Sequence, residues 1–162
     1  MIEMRLEGIR LEIPQNMPVL ILREQGGVRR IMPICIGAPE ASSIHYALEG
    51  LKPDRPLTHD LLINITEALD AQPVKLVITK IEDNTYFADL HLLQQGKVLA
   101  VSCRPSDGVA VAVRAGIPIY AEDELLDAVG KVLPTDEPEN AEEIIDDFRD
   151  FIDSIKPEDF QS

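Results

Sequence analysis

The chain has 162 residues, of which 45% are hydrophobic and 27% charged, and it contains no tryptophan. These values are typical of one soluble globular domain with an aliphatic core and an appendage. The net charge of −14 argues against a general nucleic-acid binder, so any polyanion site must be a local group of arginines. No run approaches the roughly 18 apolar residues of a membrane helix, and the acidic first residues do not resemble a secretory signal, which predicts a cytoplasmic protein with no membrane partner.

The first third of the chain alternates apolar and polar residues and then turns. Residues 2–13 alternate as in a half-buried strand. The runs PVLILRE and RRIMPICIG flank a turn at residues 25–27, which predicts a hairpin. A helix follows, with Pro39 near its start and Gly50 as its stop signal.

The middle of the chain predicts a helix, three strands and a second helix. Residues 58–71 have helical spacing, with an apolar stripe of Leu61, Leu62, Ile65 and Leu69. The runs PVKLVITKIED, TYFADLHLL and KVLAVSCR are strands separated by turn signals, and SDGVAVAVRAG is a short apolar helix. The strand IPIY and the helix EDELLDAVG complete this part. The two cysteines lie in strand-like runs and are predicted to be reduced, although a disulfide between them stays open.

The two halves of this region resemble each other. A shift of 66 residues lays APEASSIHYALEG on RPSDGVAVAVRAG, matching one proline and one glycine, and each segment follows a three-strand run. We infer a duplicated unit of three strands and a helix. The predicted fold class is α+β, with a mainly antiparallel, curled sheet and helices packed on it.

The C-terminal part has a different character. Residues 131–140 predict a linker because they contain two prolines and three acidic residues. Residues 141–162 predict an acidic amphipathic helix, which either docks on the body or a partner subunit, or serves as a docking arm for another protein. Residues 134–162 carry eleven acidic residues against Arg149 and Lys156.

Two short stretches, RPLTHD and RPSDG, share a pattern and open apolar runs. Each starts with Arg-Pro and contains a hydroxyl residue followed closely by an aspartate. Thr58 and Ser106 are the predicted helix N-caps. Asp60 and Asp107, in the first turns, complement the helix dipoles. Stability alone would explain these four residues.

The arginines of the two stretches point to a second interpretation. Arg55 and Arg104 lie beside helix N-termini, where free N–H groups and a guanidinium together form a phosphate-sized anion site. Asp60 and Asp107 would instead repel a phosphate, or pair with the arginines across the duplication. Both interpretations stay open at this point.

His59 stands between the predicted cap and Asp60. It is either a general base, a metal ligand together with Asp60, or a plain hydrogen-bonding residue. Glu40, at the start of the first helix, is either a dipole partner or a carboxylate facing the same groove. Arg114 lies near a helix C-terminus, where the dipole explains it.

Five ordered motifs carry a resemblance to a known family. The segments MPICIGAPEASSI, RPLTHDLL, TYFADLHL, RPSDGVAVAVR and PIY resemble the bifunctional nuclease domain over residues 1–130, and the acidic tail resembles an extension of actinobacterial members. The resemblance implies an α+β domain, a homodimer and nuclease activity on RNA and DNA. Gly108 departs from the alanine expected after RPSD, which would loosen the first turn of the helix.

If the activity is present, we expect a site built from the motif residues. Arg55 and Arg104 would bind the scissile phosphate while His59 or Asp60 positions water, with Mg²⁺ or Mn²⁺ held by the carboxylates. The alternative is a non-catalytic dimeric module whose groove binds a small anion or a peptide. The expected catalytic residues are Glu40, His59, Asp60 and Asp107, and the expected substrate-binding residues are Arg55, Thr58, Arg104 and Ser106.

Overall fold

The computed structural model describes residues 1–132, which contain eight strands and four helices. The strands are β1 (Ile2–Glu12), β2 (Met17–Glu24), β3 (Arg30–Cys35), β4 (Ala71–Glu82), β5 (Thr85–Gln94), β6 (Lys97–Cys103), β7 (Ile119–Ala121) and β8 (Lys131–Val132). The helices are α1 (Ala38–Leu48), α2 (Thr58–Ala68), α3 (Pro105–Ala115) and α4 (Asp123–Val129). The predicted helix at 141–162 and the predicted linker beyond Val132 lie outside these residues.

All eight strands belong to one sheet with the order β6-β5-β4-β7-β1-β2-β3-β8. Every pair is antiparallel except β4 and β7, which run parallel. The α+β prediction is confirmed, but the predicted curl is wrong. The sheet is open and not strongly curled, because its edge strands β6 and β8 stand at opposite ends of the order and do not pair.

The element order repeats within the sheet. Three strands and a helix (β1, β2, β3, α1) are followed, after α2, by three strands and a helix again (β4, β5, β6, α3). The two strand groups do not pair directly, because the short strand β7 is inserted between β1 and β4. Gly50 and Gly116, the predicted stop signals, both adopt a φ of +65° just after α1 and α3, as expected of helix C-termini.

The main core lies where α1, α3 and α4 cover the sheet. Its fully buried members include Leu20, Leu22, Met32, Ile44, Leu76, Ile78, Val109 and Leu126. α3 contacts β4 and β5 and also both α1 and α2. α3 therefore packs against α1 and α2 as well as against the sheet.

Gly108 lets α3 approach the sheet closely. A Cβ placed on Gly108 would lie 2.4 Å from Cδ1 of Leu76 on β4 and 3.1 Å from Sγ of Cys103. A glycine in the first turn therefore serves packing in this chain, at the expense of some helix propensity. Cys103 and Cys35 are both free thiols, and burial raises the pKa of Cys103 to about 11.

The apolar stripe of α2 faces outward. Its members Leu61, Leu62, Ile65 and Leu69 are exposed, each residue by at least 41%, while the buried residue of the helix is His59. Helical spacing showed correctly that the four residues share a face. The face points away from the core because His59 and Asp60 are held inward by hydrogen bonds to other helices.

Among the helices of residues 1–132, none combines the length and the apolar composition that a membrane-spanning segment needs.

A buried ion pair connects the two strands of the β2–β3 hairpin. Arg30 donates to both carboxylate oxygens of Glu24, at 2.9 Å from Nε and 3.1 Å from Nη2, and Glu24 is only 7% exposed. Arg30 also reaches Asp127 on α4, so the pair connects the hairpin to that helix.

We expect Arg30→Met to lower the free energy of unfolding by about 3 kcal/mol, because the Glu24 carboxylate would stay buried without its partner. Urea unfolding followed by circular dichroism measures the change. Arg5→Met is the control, since Arg5 is an exposed strand arginine 3.8 Å from Glu7 and its loss should cost within about 0.5 kcal/mol. Equal costs for the two variants would contradict the assignment.

Candidate functional site

Each of the helices α1, α2 and α3 carries an acidic residue in its first turn, and all three of these carboxylates are bound by arginines. Glu40 of α1 and Asp107 of α3 share Arg104, whose Nη2 lies 2.9 Å from Oε1 of Glu40 and whose Nε lies 2.7 Å from Oδ2 of Asp107. Asp60 of α2 accepts from Nε of Arg114 at 2.7 Å. We call these five residues, together with Ser43 and His59, the helix-end network.

His59 lies at the centre of the helix-end network and is 7% exposed. Its Nδ1 is 2.8 Å from Oγ of Ser43 on α1, and its Nε2 is 2.9 Å from Oδ1 of Asp107 on α3. A single imidazole therefore connects α1, α2 and α3. Such burial is permitted because both ring nitrogens have partners.

Arg114 holds the other side of Ser43. Its Nη2 donates to Oγ of Ser43 at 3.0 Å, and its Nη1 donates to the carbonyl oxygen of Ala110 at 2.9 Å. With Nε on Asp60, the guanidinium is fixed by three contacts to three residues. The sequence pattern explained Arg114 only by the dipole of its own helix. In the structure it also binds side chains of α1 and α2.

The network keeps its aspartates ionised. Burial raises the pKa of Asp107, but the hydrogen bonds from Arg104 and His59 outweigh burial and hold that pKa below its ordinary value. The hydrogen bond from Arg114 lowers the pKa of Asp60 in the same way, against a smaller effect of burial. Each of the two carboxylates is paired with its own guanidinium, which offsets the repulsion between their negative charges.

These charges assign the tautomer of His59. An ionised Asp107 can only accept, so Nε2 of His59 carries a hydrogen and donates to it. In the neutral imidazole Nδ1 is then an acceptor, and it accepts the hydroxyl hydrogen of Ser43. Arg114 donates to the same oxygen, which leaves the hydroxyl hydrogen free to point at His59.

The structure brings together five of the eight predicted site residues and separates the others. Glu40, His59, Asp60, Arg104 and Asp107 all belong to the helix-end network. The remaining three are Arg55, Thr58 and Ser106.

Those three residues take other positions. Arg55 is exposed in the loop before α2, and no hydrogen bond or ion pair joins it to another of the described residues. Thr58 is exposed as the first residue of α2 and is not its cap, since Leu57 occupies that position and donates its N–H to Asp60. Ser106 is buried in the first turn of α3, where Arg104 occupies the cap position. The predicted capping roles of Thr58 and Ser106 are therefore wrong.

Sequence reasoning missed Ser43 and misjudged Arg114. Signals for both exist in the helical spacing: Ser43 follows Glu40 by three residues and Arg114 follows Asp107 by seven, so each shares a helix face with a predicted site residue. The predicted pairing of Asp107 with an arginine of the Arg-Pro motifs is confirmed for Arg104. Asp60 pairs with Arg114 and not with Arg55.

The predicted metal ligands do not fit a Mg²⁺ or Mn²⁺ site as they are arranged. Residues 1–132 contain no group of three or more His, Cys, Asp or Glu side chains placed to hold an ion. Each carboxylate of the helix-end network already accepts from a guanidinium.

A surface depression of about 420 Å³ lies away from the predicted site residues. It runs along β1 and is lined by Arg5, Leu6, Glu7, Gly8, Ile9, Arg10 and Ile21. None of these residues belongs to the helix-end network. The most exposed member of the network is Arg104, whose side chain is 66% exposed.

Comparison with known proteins identifies the family. The model of the bifunctional nuclease domain matches residues 20–134, which include the whole helix-end network. This chain belongs to the bifunctional nuclease domain family. It is 41% identical over 165 residues to the "Uncharacterized protein Rv1829" of Mycobacterium tuberculosis, an alignment that covers 99% of this chain and 98% of the relative.

Plant proteins with nuclease names are more distant relatives. "Bifunctional nuclease 1" of Oryza sativa subsp. japonica is 25% identical over 134 residues, covering 73% of this chain and 40% of the rice protein. "Bifunctional nuclease 1" of Arabidopsis thaliana is 25% identical over 105 residues, covering 63% of this chain and 32% of that protein.

Acid should weaken the network through Asp107. A carboxyl group whose folded pKa lies below its unfolded value of about 3.9 stabilises the fold fully above that value, and this stabilisation is lost as the pH falls through the folded pKa. We expect Asp107→Asn to be less stable than the wild type at neutral pH, but to lose less free energy of unfolding between about pH 5 and about pH 2.

Urea unfolding at a series of pH values measures both effects. Asp54→Asn, which changes an exposed loop aspartate, is the control and should follow the wild type. Parallel pH profiles for Asp107→Asn and the wild type would show that Asp107 is not held in its ionised form by the fold.

Proposed function

We propose that this chain hydrolyses phosphodiester bonds in RNA or DNA, with the helix-end network as its reaction centre. The observation that carries the proposal is the row Asp107–His59–Ser43, in which a buried imidazole connects an ionised carboxylate to a hydroxyl group. Asp107 orients the imidazole and stabilises the imidazolium that forms when His59 takes a proton. The family and the names of the plant relatives support phosphodiesters as the substrate class.

We propose that Arg104 binds the phosphate group of the substrate. Its side chain is 66% exposed and lies at the N-terminus of α3, where backbone N–H groups also favour an anion. A phosphate oxygen would compete with Glu40 for Nη2 of Arg104. Arg55, exposed and free of ion pairs among the described residues, would supply a second positive charge from the loop before α2.

The other carboxylates position the arginines. Asp60 accepts from Arg114 with one oxygen and from the N–H of Leu57 with the other, so in this proposal it fixes Arg114 and begins α2. Glu40 keeps Arg104 in place until substrate arrives. Neither acts on water in the proposed reaction.

We expect His59→Ala and Asp107→Asn to lower cleavage of RNA and DNA by about 10²-fold to 10⁴-fold, the size of a general acid–base contribution. Identically purified preparations are compared by the release of fluorescent fragments, with Mg²⁺, with Mn²⁺ and with EDTA. His45→Ala is the matched control, since His45 is exposed on α1 and should be replaced without effect. Equal activity of His59→Ala and the wild type would point to a contaminant and refute the proposal.

The exposed stripe of α2 favours a second property, a homodimer. Leu61, Leu62, Ile65 and Leu69 are each at least 41% exposed on one face of α2, and Leu57 is exposed beside them. Adjoining exposed apolar side chains mark interaction surfaces. We propose that α2 packs against α2 of a second copy. The alternative function is a non-catalytic dimeric module. In that case the same dimer would bind a small anion at Arg104 without cleaving nucleic acid.

Ile65→Asp should convert the dimer into a monomer, because a charge in a buried apolar interface is strongly unfavourable. Light scattering coupled to gel filtration of the full chain gives the mass. Val28→Asp is the control, since Val28 is 60% exposed in the β2–β3 turn. A wild type that elutes as a monomer at all concentrations, or an Ile65→Asp variant that stays dimeric, would contradict the assignment.

A further inference from the structure

Both ring nitrogens of His59 are occupied by protein groups. Nε2 donates to Asp107, and Nδ1 accepts from Ser43 at 2.8 Å. A base acts through its free lone pair, and the lone pair of neutral His59 points at the Ser43 hydroxyl rather than at solvent. The proton that His59 is placed to take is therefore the one on Ser43.

The surroundings of Ser43 favour its deprotonated form. Nη2 of Arg114 lies 3.0 Å from Oγ, and a guanidinium stays protonated and donates only. Ser43 is 8% exposed, so water competes little for these hydrogen bonds and the positive charge acts at short range. The hydroxyl thus has a base on one side and a fixed cation on the other, the arrangement that activates a serine nucleophile.

We propose that Ser43 is the nucleophile of this site, an inference that rests on the phosphodiesterase function proposed above. Oγ attacks the phosphorus and forms an O–P bond while its proton moves to Nδ1 of His59. The bond from phosphorus to the leaving nucleotide oxygen breaks, and that oxygen takes the proton from His59. Water then attacks the phosphorus of the covalent intermediate, in which Oγ and the other nucleotide are both esterified to the same phosphate. Its proton passes through His59 to Oγ as the Oγ–P bond breaks, the nucleotide leaves with a terminal phosphate, and one water is consumed overall.

Arg114 and Asp60 gain defined roles in this scheme. Arg114 stabilises the negative charge that develops on Oγ, and Asp60 positions Arg114 through the 2.7 Å hydrogen bond to Nε. Arg104 would bind the phosphate oxygens on the exposed side of the network.

A fluorophosphonate probe tests the nucleophile without a nucleic acid. An activated serine attacks its phosphorus, the Oγ–P bond forms, the P–F bond breaks and fluoride leaves. We expect the wild-type full-length chain to gain one adduct, which peptide mass spectrometry locates on Ser43. Labelling should fall at least about tenfold in His59→Ala, because the serine then lacks its base.

The chain offers a matched control one residue away. Ser42 is exposed on α1 whereas Ser43 is buried, so Ser42→Ala should label and cleave as the wild type does. Ser43→Ala should lose both the adduct and about 10²-fold or more of the cleavage rate. Mapping the adduct on the wild type needs no variant, so the test stands even where Ser43→Ala folds poorly.

The outcomes separate this inference from the proposed function. Cleavage of nucleic acid without an adduct on Ser43, or with an adduct on another residue only, overturns the nucleophile and leaves the nuclease proposal standing. An adduct on Ser43 without cleavage supports the nucleophile and refutes phosphodiesters as its substrate. Neither adduct nor cleavage refutes both.

Discussion

The carboxylate of Asp107 accepts hydrogen bonds from His59 and from Arg104, and the arrangement of three helices depends on those bonds. Through His59 it is connected to α2 and, by way of Ser43, to α1. Through Arg104 it is connected to Glu40, at the start of α1. A single ionised group thus fixes the relative positions of three helices, which apolar packing alone would allow to shift.

This polar centre accounts for the unusual orientation of α2. A helix with four large apolar residues on one face ordinarily buries that face. Here the inward positions are taken by His59 and Asp60, whose partners lie on α1 and α3. If α2 turned so that its apolar stripe faced the core, His59 would leave its hydrogen bonds to Ser43 and Asp107. Each buried polar group that loses its hydrogen bond lowers the stability of the fold by about 1–3 kcal/mol. The apolar stripe is left outward as a result.

Local signals predicted the elements well, whereas the contacts between distant elements were harder to predict. Alternation indicated the strands, and Gly50 and Gly116 marked two helix ends correctly. The spacing of Leu61, Leu62, Ile65 and Leu69 showed that they share a face but contained no information on where that face points. The same limit applies to Arg114: its position near a helix end was evident, but its contact with Asp60 joins residues 54 positions apart. Partner choice across such distances depends on the packing of α3 between the other helices.

The position of β7 has a consequence for how the chain reaches this state. The three residues of β7 lie between β1 and β4, so the two strand groups are joined only through a segment that follows both of them in the chain. During synthesis each group can form its own hairpins early, from local contacts. The middle of the sheet must wait for residue 121 to leave the ribosome, which makes its closure a late, non-local step. Until then the inner edges of β1 and β4 stay open, and they are the strands most at risk of pairing with another chain.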